Sequence, residues 1–106
     1  MTEVVYNKLV RDNIPEITRA NDGIPFTRIL NDKEFNIKLN EKLIEEVKEY
    51  LESEDILELA DILEVIHAII EAKGYSFKEL EEIRLEKSKK RGGFKKKILL
   101  EKVVSK

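Results

Sequence analysis

Hydrophobic positions recur at helical spacing over three long stretches of the chain. The first stretch opens with Asn31 followed three residues later by Glu34, which is typical of a capping box. The pattern therefore predicts a long helix that begins there and runs to about Glu52. A second helix is predicted over residues 54 to about 73, because Gly74 suits the left-handed position that ends a helix.

The second predicted helix is apolar on most of its circumference, so we expect it to be the buried central helix. Ser76 and Glu79 form another capping-box pattern and predict a third helix, which should end at Gly92 and Gly93. A short helix near the N-terminus is also predicted, because Pro15 suits the first turn of a helix.

The remaining segments have no helical period. Residues 1–12 are predicted to hold a short extended piece. Residues 25–30 are interpreted as a strand or an extended link, and residues 98–104 as a strand or an ordered tail. If it is a strand, the tail would pair with residues 27–30 or 4–6.

The predicted fold class is all-α, a bundle of three main helices plus a short N-terminal helix, with short extended terminal segments. At 106 residues the chain is long enough for one domain, residues 1–106, with a modest core. Three substantial helices, one of them apolar nearly all round, have too little surface to cover themselves. We therefore expect a homodimer or homotetramer to complete the bundle.

Charge and composition narrow the class of protein. Charged residues are 40% of the chain and the net charge is -2, which gives no general case for nucleic-acid or membrane binding. Cysteine is absent, which excludes disulfides and thiolate metal sites. The sequence has neither a signal-peptide core nor an apolar run of about 20 residues, so the expected location is the cytoplasm.

Four carboxylates occupy i, i+3 positions on the first two long helices: Glu46 with Glu49, and Glu58 with Asp61. Residues three apart lie on one face of an α-helix. At roughly 100° per residue, Glu46 and Glu58 each fall within about 40° of several apolar residues of their own helix. Both pairs are therefore predicted to face inward.

Inward carboxylates destabilise a fold unless a cation neutralises them. Carboxylate oxygens suit a hard divalent cation, so we predict a Mg²⁺ site, with Mn²⁺ as an alternative, held by Glu46, Glu49, Glu58 and Asp61. The other interpretation is that these acids are solvent-facing residues of charged helices. A di-iron site is disfavoured, because neither pair contains histidine and His67 falls roughly 180° from Glu58.

The same acids carry a resemblance. Residues 45–49 (EEVKE) followed by residues 58–61 (ELAD) resemble the EExxE…ExxD signature of the all-α nucleoside triphosphate pyrophosphohydrolases, the MazG and phosphoribosyl-ATP pyrophosphohydrolase-like superfamily. Residues 6–15 (YNKLVRDNIP) look like the opening of one MazG-like branch, and residues 87–94 (KSKKRGGF) look like its basic, glycine-containing segment. The resemblance covers nearly the whole chain.

The resemblance implies Mg²⁺-dependent hydrolysis of a nucleoside triphosphate between its α and β phosphates, and the expected role is to clear unwanted nucleotides. It assigns catalysis to Glu45, Glu46, Glu49, Glu58 and Asp61. Glu45 points outward from Glu46 on the helical wheel, so it is predicted either to support the site and activate water or simply to face solvent. The alternatives are phosphoribosyl-ATP hydrolysis and a non-catalytic helical module that binds a nucleotide or a protein.

A polyphosphate needs cations besides the metal. The candidate phosphate-binding residues are Lys8, Arg11, Lys87, Lys90 and Arg91. The last three cluster on the final turn of the third long helix, where positive charge also complements the helix dipole. Direct nucleic-acid binding through residues 87–97 is the third-ranked interpretation.

Overall fold

The computed structural model describes residues 2–105, which form helices and the segments that connect them. The four helices of this part of the chain are α1 (Ile14–Ala20), α2 (Asp32–Ser53), α3 (Ile56–Ala72) and α4 (Phe77–Arg91). The described residues contain no strand, so the predicted all-α class is confirmed. The strand interpretation of residues 25–30 and 98–104 is wrong, because neither segment pairs with another in the described chain.

Capping boxes begin both α2 and α4, as the sequence predicts. The Asn31 side chain accepts the Glu34 N–H at 2.9 Å, and the Glu34 carboxylate accepts the Asn31 N–H at 3.4 Å. Ser76 and Glu79 form the same reciprocal pair at the start of α4. Because each box satisfies backbone donors that have no partner within the helix, it fixes where the helix begins.

The Arg28 guanidinium reinforces the first of these caps by donating to both carboxylate oxygens of Glu34, at 3.2 and 2.7 Å. This pairing, followed by the bond from the Asn31 N–H, holds the pKa of the Glu34 carboxyl below its usual value. A carboxyl whose pKa is lowered on folding stabilises the folded state above its unfolded pKa. That contribution is lost as pH falls through the folded pKa.

Replacing Glu34 by Gln is therefore expected to destabilise the protein more at pH 7 than at pH 3. Urea unfolding of the parent and the Glu34→Gln variant at both pH values measures the difference. In an Arg28→Gln background the pH dependence should shrink, because the guanidinium is the main cause of the lowered pKa. Equal destabilisation at both pH values in the parent background would contradict this account.

Helices α2 and α3 form an antiparallel hairpin, joined by residues 54–55. Glu54 adopts the left-handed conformation, with φ 55° and ψ 23°, and ends α2. The Asp55 carboxylate accepts the Leu57 N–H at 2.9 Å and thereby caps α3. Because the connection is so short, the chain reverses direction immediately, and the C-terminal half of α2 faces the first turns of α3.

The core lies along this hairpin and is small. Its buried apolar side chains in the described chain are Leu39 of α2 and Val65 and Ile70 of α3. Glu46 of α2 is also buried, with 7% of its surface exposed. The inner face of the hairpin therefore encloses a carboxylate as well as apolar side chains, which is an energetically costly arrangement without a compensating partner.

Helix α4 packs on α3 less extensively than α2 does, and α1 lies apart from the other helices. Gly74 ends the α3 segment with φ 84°, the left-handed conformation that the sequence predicts for it. Just beyond it, the rings of His67 and Phe77 stack with centroids 4.2 Å apart. His67 thus packs α3 against α4 and lies away from the predicted acids.

The chain is elongated, with a radius of gyration of 19.0 Å and a longest extent of 69 Å. A compact domain of this length would have a radius of gyration of about 13 Å. None of the helices within residues 2–105 combines the length and the apolar content required to traverse a lipid bilayer.

Candidate functional site

The α2–α3 hairpin brings together carboxylates that are far apart in the sequence. Glu46 lies in the C-terminal half of α2, and the start of α3 carries Glu58 and Asp61. Each of these three residues offers one carboxylate oxygen, and the three oxygens lie within 4.8 Å of one another. Distances of this order allow all three oxygens to bind one cation.

A second group of carboxylates lies along α2 itself. One oxygen each of Glu45, Glu46 and Glu49 also falls within 4.8 Å of the others. Glu46 belongs to both groups and joins them into one acidic cluster, which we define as Glu45, Glu46, Glu49, Glu58 and Asp61. The other four predicted catalytic positions therefore each lie close to Glu46, including Glu45, which helical geometry alone directs away from Glu46.

Burial is uneven across the acidic cluster. Glu46 is buried, whereas Glu45, Glu49, Glu58 and Asp61 are half-buried. The inward orientation that the apolar pattern predicts thus applies fully to Glu46 alone. The other four carboxylates surround it and remain accessible to a ligand from solvent.

Glu46 also has an unsatisfied oxygen. Its Oε1 forms an ion pair with the Lys42 Nζ at 3.4 Å. Its Oε2 is buried and has no hydrogen-bond partner in the described chain. A buried acceptor without a partner costs about 1–3 kcal/mol, and more when it is charged. A bound cation would satisfy such an atom, and Glu46 is the residue shared by both carboxylate groups.

The pKa shifts of Glu46 and Glu58 also favour a bound cation. Burial raises the pKa of the Glu46 carboxyl, and the neighbouring Glu49 carboxylate raises it further, while Lys42 opposes the shift. Burial also raises the pKa of the Glu58 carboxyl, followed by repulsion from Asp61 and Glu46. Both shifts mean that negative charge accumulates here at a cost, which a bound cation would offset.

Two cations from the N-terminal segment reach the cluster. The Lys8 Nζ bonds Glu45 Oε1 at 2.9 Å, and the Arg11 guanidinium bonds Asp61 Oδ1 at 2.8 Å. Pairing with Lys8 lowers the pKa of the Glu45 carboxyl, and the same bond raises the pKa of the Lys8 ammonium. Lys8 and Arg11 were predicted to bind phosphate, and in this structure their partners are the acids of the candidate site.

Lys42 is a site residue that the sequence analysis missed. Its Nζ lies 3.4 Å from Glu45 Oε2 and 3.4 Å from Glu46 Oε1, and its side chain is largely buried. Its spacing in the sequence could have revealed it. Lys42 precedes Glu45 by three residues and Glu46 by four, and oppositely charged residues at these spacings form ion pairs on a helix. The structure therefore assigns three cations, Lys8, Arg11 and Lys42, to the acidic cluster.

The other predicted phosphate-binding residues lie elsewhere. Lys87, Lys90 and Arg91 line one side of a shallow groove on the last turns of α4, and Lys90 pairs with Glu86 at 3.3 Å. No ion pair within residues 2–105 joins them to the acidic cluster. Within one protomer they are a separate basic surface.

The ligands that the cluster offers are all carboxylate oxygens, and one of them is buried and unsatisfied. This set fits Mg²⁺ or Mn²⁺, which prefer oxygen, and it does not fit metals that require thiolate or imidazole. Glu46, Glu49, Glu58 and Asp61 are the residues that could hold such an ion, while Glu45 is already engaged with Lys8 and Lys42.

Comparison of the chain with protein-family models, with curated proteins and with solved structures found no match.

Proposed function

We propose that the protein is a Mg²⁺-dependent nucleotide pyrophosphohydrolase, which converts a nucleoside triphosphate to a monophosphate and pyrophosphate. The observation that carries the proposal is the convergence of Glu46, Glu58 and Asp61, together with the buried, unsatisfied Oε2 that Glu46 carries. The resemblance of the acidic motif to pyrophosphohydrolases supports the same activity. Because its substrates are free nucleotides, we place the enzyme in the cytoplasm.

Carboxylates on both helices would hold the metal: Glu46 and Glu49 from α2, and Glu58 and Asp61 from α3. When bound, Mg²⁺ would neutralise phosphate oxygens and make a coordinated water more acidic. The hairpin would hold the metal ligands rigidly, because they lie on two packed helices and the distances between them do not depend on a loop.

Lys8 and Arg11 supply positive charge at the edge of the cluster, where the phosphate chain would enter. In the structure they bond Glu45 and Asp61 at 2.9 and 2.8 Å. Arrival of a metal-bound polyphosphate would offer these cations phosphate oxygens in place of carboxylates, with charge-assisted bonds of similar geometry. The same side chains would then neutralise the acids in the free enzyme and the phosphates in the complex.

The reaction needs a group that accepts a proton. A water oxygen bonds to the α-phosphorus, the bond from that phosphorus to the α–β bridging oxygen breaks, and pyrophosphate leaves with the bridging oxygen. Glu45 is the proton acceptor we propose for the attacking water. Lys8 lowers its pKa in the free protein, so transfer of Lys8 to a phosphate would make Glu45 a stronger base.

The test is to incubate the full chain with Mg²⁺ and each of the common ribo- and deoxyribonucleoside triphosphates, and to measure pyrophosphate and monophosphate. We expect both products from at least one nucleotide and none after chelation of the metal. Phosphoribosyl-ATP belongs in the same panel, because it discriminates the alternative substrate. No pyrophosphate from any of these compounds, or release that survives chelation, would refute the proposal.

The Lys8 and Arg11 contacts lead to a prediction about metal binding without nucleotide. A double variant, Lys8→Met with Arg11→Gln, is expected to bind Mg²⁺ more tightly than the parent, by roughly tenfold, because two cations no longer compete for the carboxylates. Titration calorimetry with Mg²⁺ alone measures this.

Lys90→Met with Arg91→Gln is the matched control for that double variant, since it removes the same charges from a surface that makes no ion pair with the cluster. Its Mg²⁺ affinity should stay near that of the parent. Equal affinities in the two double variants would mean that Lys8 and Arg11 do not compete with the metal.

A further inference from the structure

The protomer exposes much more surface than a folded monomer of its size. Its accessible surface is 10257 Å², whereas a monomeric protein of 12.4 kDa is expected to expose about 6100 Å². The excess, about 4000 Å², is too large to result from ordinary surface irregularity. It is concentrated in apolar residues of the extended segments and of the outward helix faces.

The C-terminal arm, residues 94–104, accounts for a large part of this apolar exposure. It contains six apolar residues that are each at least 74% exposed: Phe94, Ile98, Leu99, Leu100, Val103 and Val104. Beyond a turn in which the Lys97 N–H bonds the Phe94 carbonyl at 3.2 Å, the arm makes no backbone hydrogen bond within residues 2–105. A run of exposed apolar residues of this length marks an interaction surface.

A second exposed apolar surface lies on α3, on the side away from Glu58. Ile56, Leu59 and Leu63 follow one another at helical spacing and are 73%, 41% and 45% exposed, and we call them the outer seam of α3. Ile70 continues the same stripe but is buried, close to the turn into α4. Contacts within the protomer thus cover the end of the stripe and leave its beginning open.

The two surfaces have opposite charge. Residues 49–72, which include α3, contain no lysine or arginine, and outside the acidic cluster they contain five acids: Glu52, Glu54, Asp55, Glu64 and Glu71. Residues 87–102, which include most of the arm, contain one acid, Glu101, and eight cations: Lys87, Lys89, Lys90, Arg91, Lys95, Lys96, Lys97 and Lys102. No ion pair joins the two regions within the described protomer.

We propose that the C-terminal arm of one copy docks on the outer seam of α3 in a second copy. The arm's apolar residues would cover Ile56, Leu59 and Leu63, and its lysines would pair with the acids that flank this seam. Charge complementarity favours α3 as the site. The excess surface, about 4000 Å² on each protomer, is more than the roughly 1000–2500 Å² that each partner of an obligate homodimer buries. The protein is then an assembly of at least two copies linked by exchanged arms.

The proposal does not depend on the enzymatic activity. The outer seam lies about 100–160° around α3 from Glu58, so an arm bound there leaves the face with the acidic cluster free. Self-association can therefore be tested on its own, and either conclusion can fail without the other.

The experiment uses two single variants of the full chain: Leu99→Asp in the arm and Leu59→Asp in the outer seam. Each is expected to raise the dissociation constant for self-association at least about tenfold, measured by sedimentation velocity. Ile24→Asp, at an exposed apolar position of the link before α2, is the control and should associate like the parent. Circular dichroism verifies that each variant retains its helices.

Mixing the two variants is the decisive step. The Leu59→Asp chain keeps an intact arm and the Leu99→Asp chain keeps an intact seam, so one correct arm–seam contact can form in a mixed assembly. Association of the mixture above the level of either variant alone supports the proposal, as does weakening of parent association by salt. The proposal is overturned if the parent chain is monomeric at micromolar concentration. It is also overturned if the mixture associates no more strongly than either variant alone.

A charge-reversal experiment covers the case in which Leu59→Asp unfolds the chain. Glu64→Lys, a charge change on the exposed surface of α3, then replaces it and is paired with Lys96→Glu in the arm. Combined in one chain, the two reversals should restore association that each one alone weakens. Failure of the combination to exceed either single variant would equally refute docking of the arm on α3.

Discussion

Glu46→Gln is expected to lower the rate of pyrophosphate release by about 100-fold or more, because metal sites lose 10- to 100-fold even when only a supporting residue is changed. Glu46 is the member common to both carboxylate groups, and it contributes the buried, unsatisfied oxygen. The amide keeps the shape of the side chain but cannot supply the negative charge. A pyrophosphate assay at saturating nucleotide and several Mg²⁺ concentrations measures the effect.

Glu52→Gln provides the control for this prediction. It makes the same chemical change on the same helix, at an exposed position outside the acidic cluster. Its rate should stay close to that of the parent. If Glu46→Gln retained the parent rate at every Mg²⁺ concentration, the cluster would not be the catalytic site.

Leu39→Ala is expected to have the largest effect on stability, a loss of about 3 kcal/mol in the free energy of unfolding. Leu39 is the most buried side chain of the core, with 3% of its surface exposed. The core has few other buried apolar groups, Val65 and Ile70 among them, so little can move to fill the cavity. Since small domains are stable by only about 5–15 kcal/mol, this loss is a large fraction of the total.

Urea unfolding at a fixed protein concentration measures that loss. Leu57→Ala removes the same atoms from a position that is 69% exposed, outside the outer seam of α3, and should cost much less. Equal losses for the two variants would show that the α2–α3 contact does not dominate stability.

The helices could be predicted from the sequence because their signals are local. Asn31 with Glu34 and Ser76 with Glu79 specify where α2 and α4 begin, and Gly74 specifies where α3 ends. Each of these signals acts within a few residues, so it is visible before any tertiary contact is known. The unpaired state of residues 98–104 is different, because strand pairing depends on a distant partner that local sequence does not reveal.

The acidic cluster was partly predictable for the same reason. Spacing of three residues places Glu46 beside Glu49 and Glu58 beside Asp61 on any helix. The apolar neighbours of Glu46 correctly indicated burial. The wheel was less informative for Glu45, since it gives the direction of a side chain from the helix axis and not the reach of a flexible carboxylate toward its neighbours.

By itself, the sequence determined the all-α class, the four helices and the face on which the acids lie. Only the tertiary structure decided that Glu46 meets Glu58 and Asp61 across the hairpin, and that Lys8 and Arg11, 37 and 50 residues from their partners, neutralise the cluster. The physical reason is that the two kinds of interaction act between residues at different separations. Helix formation and capping depend on residues within one or two turns of the chain. Charge pairing depends on distances between atoms that only the folded chain fixes.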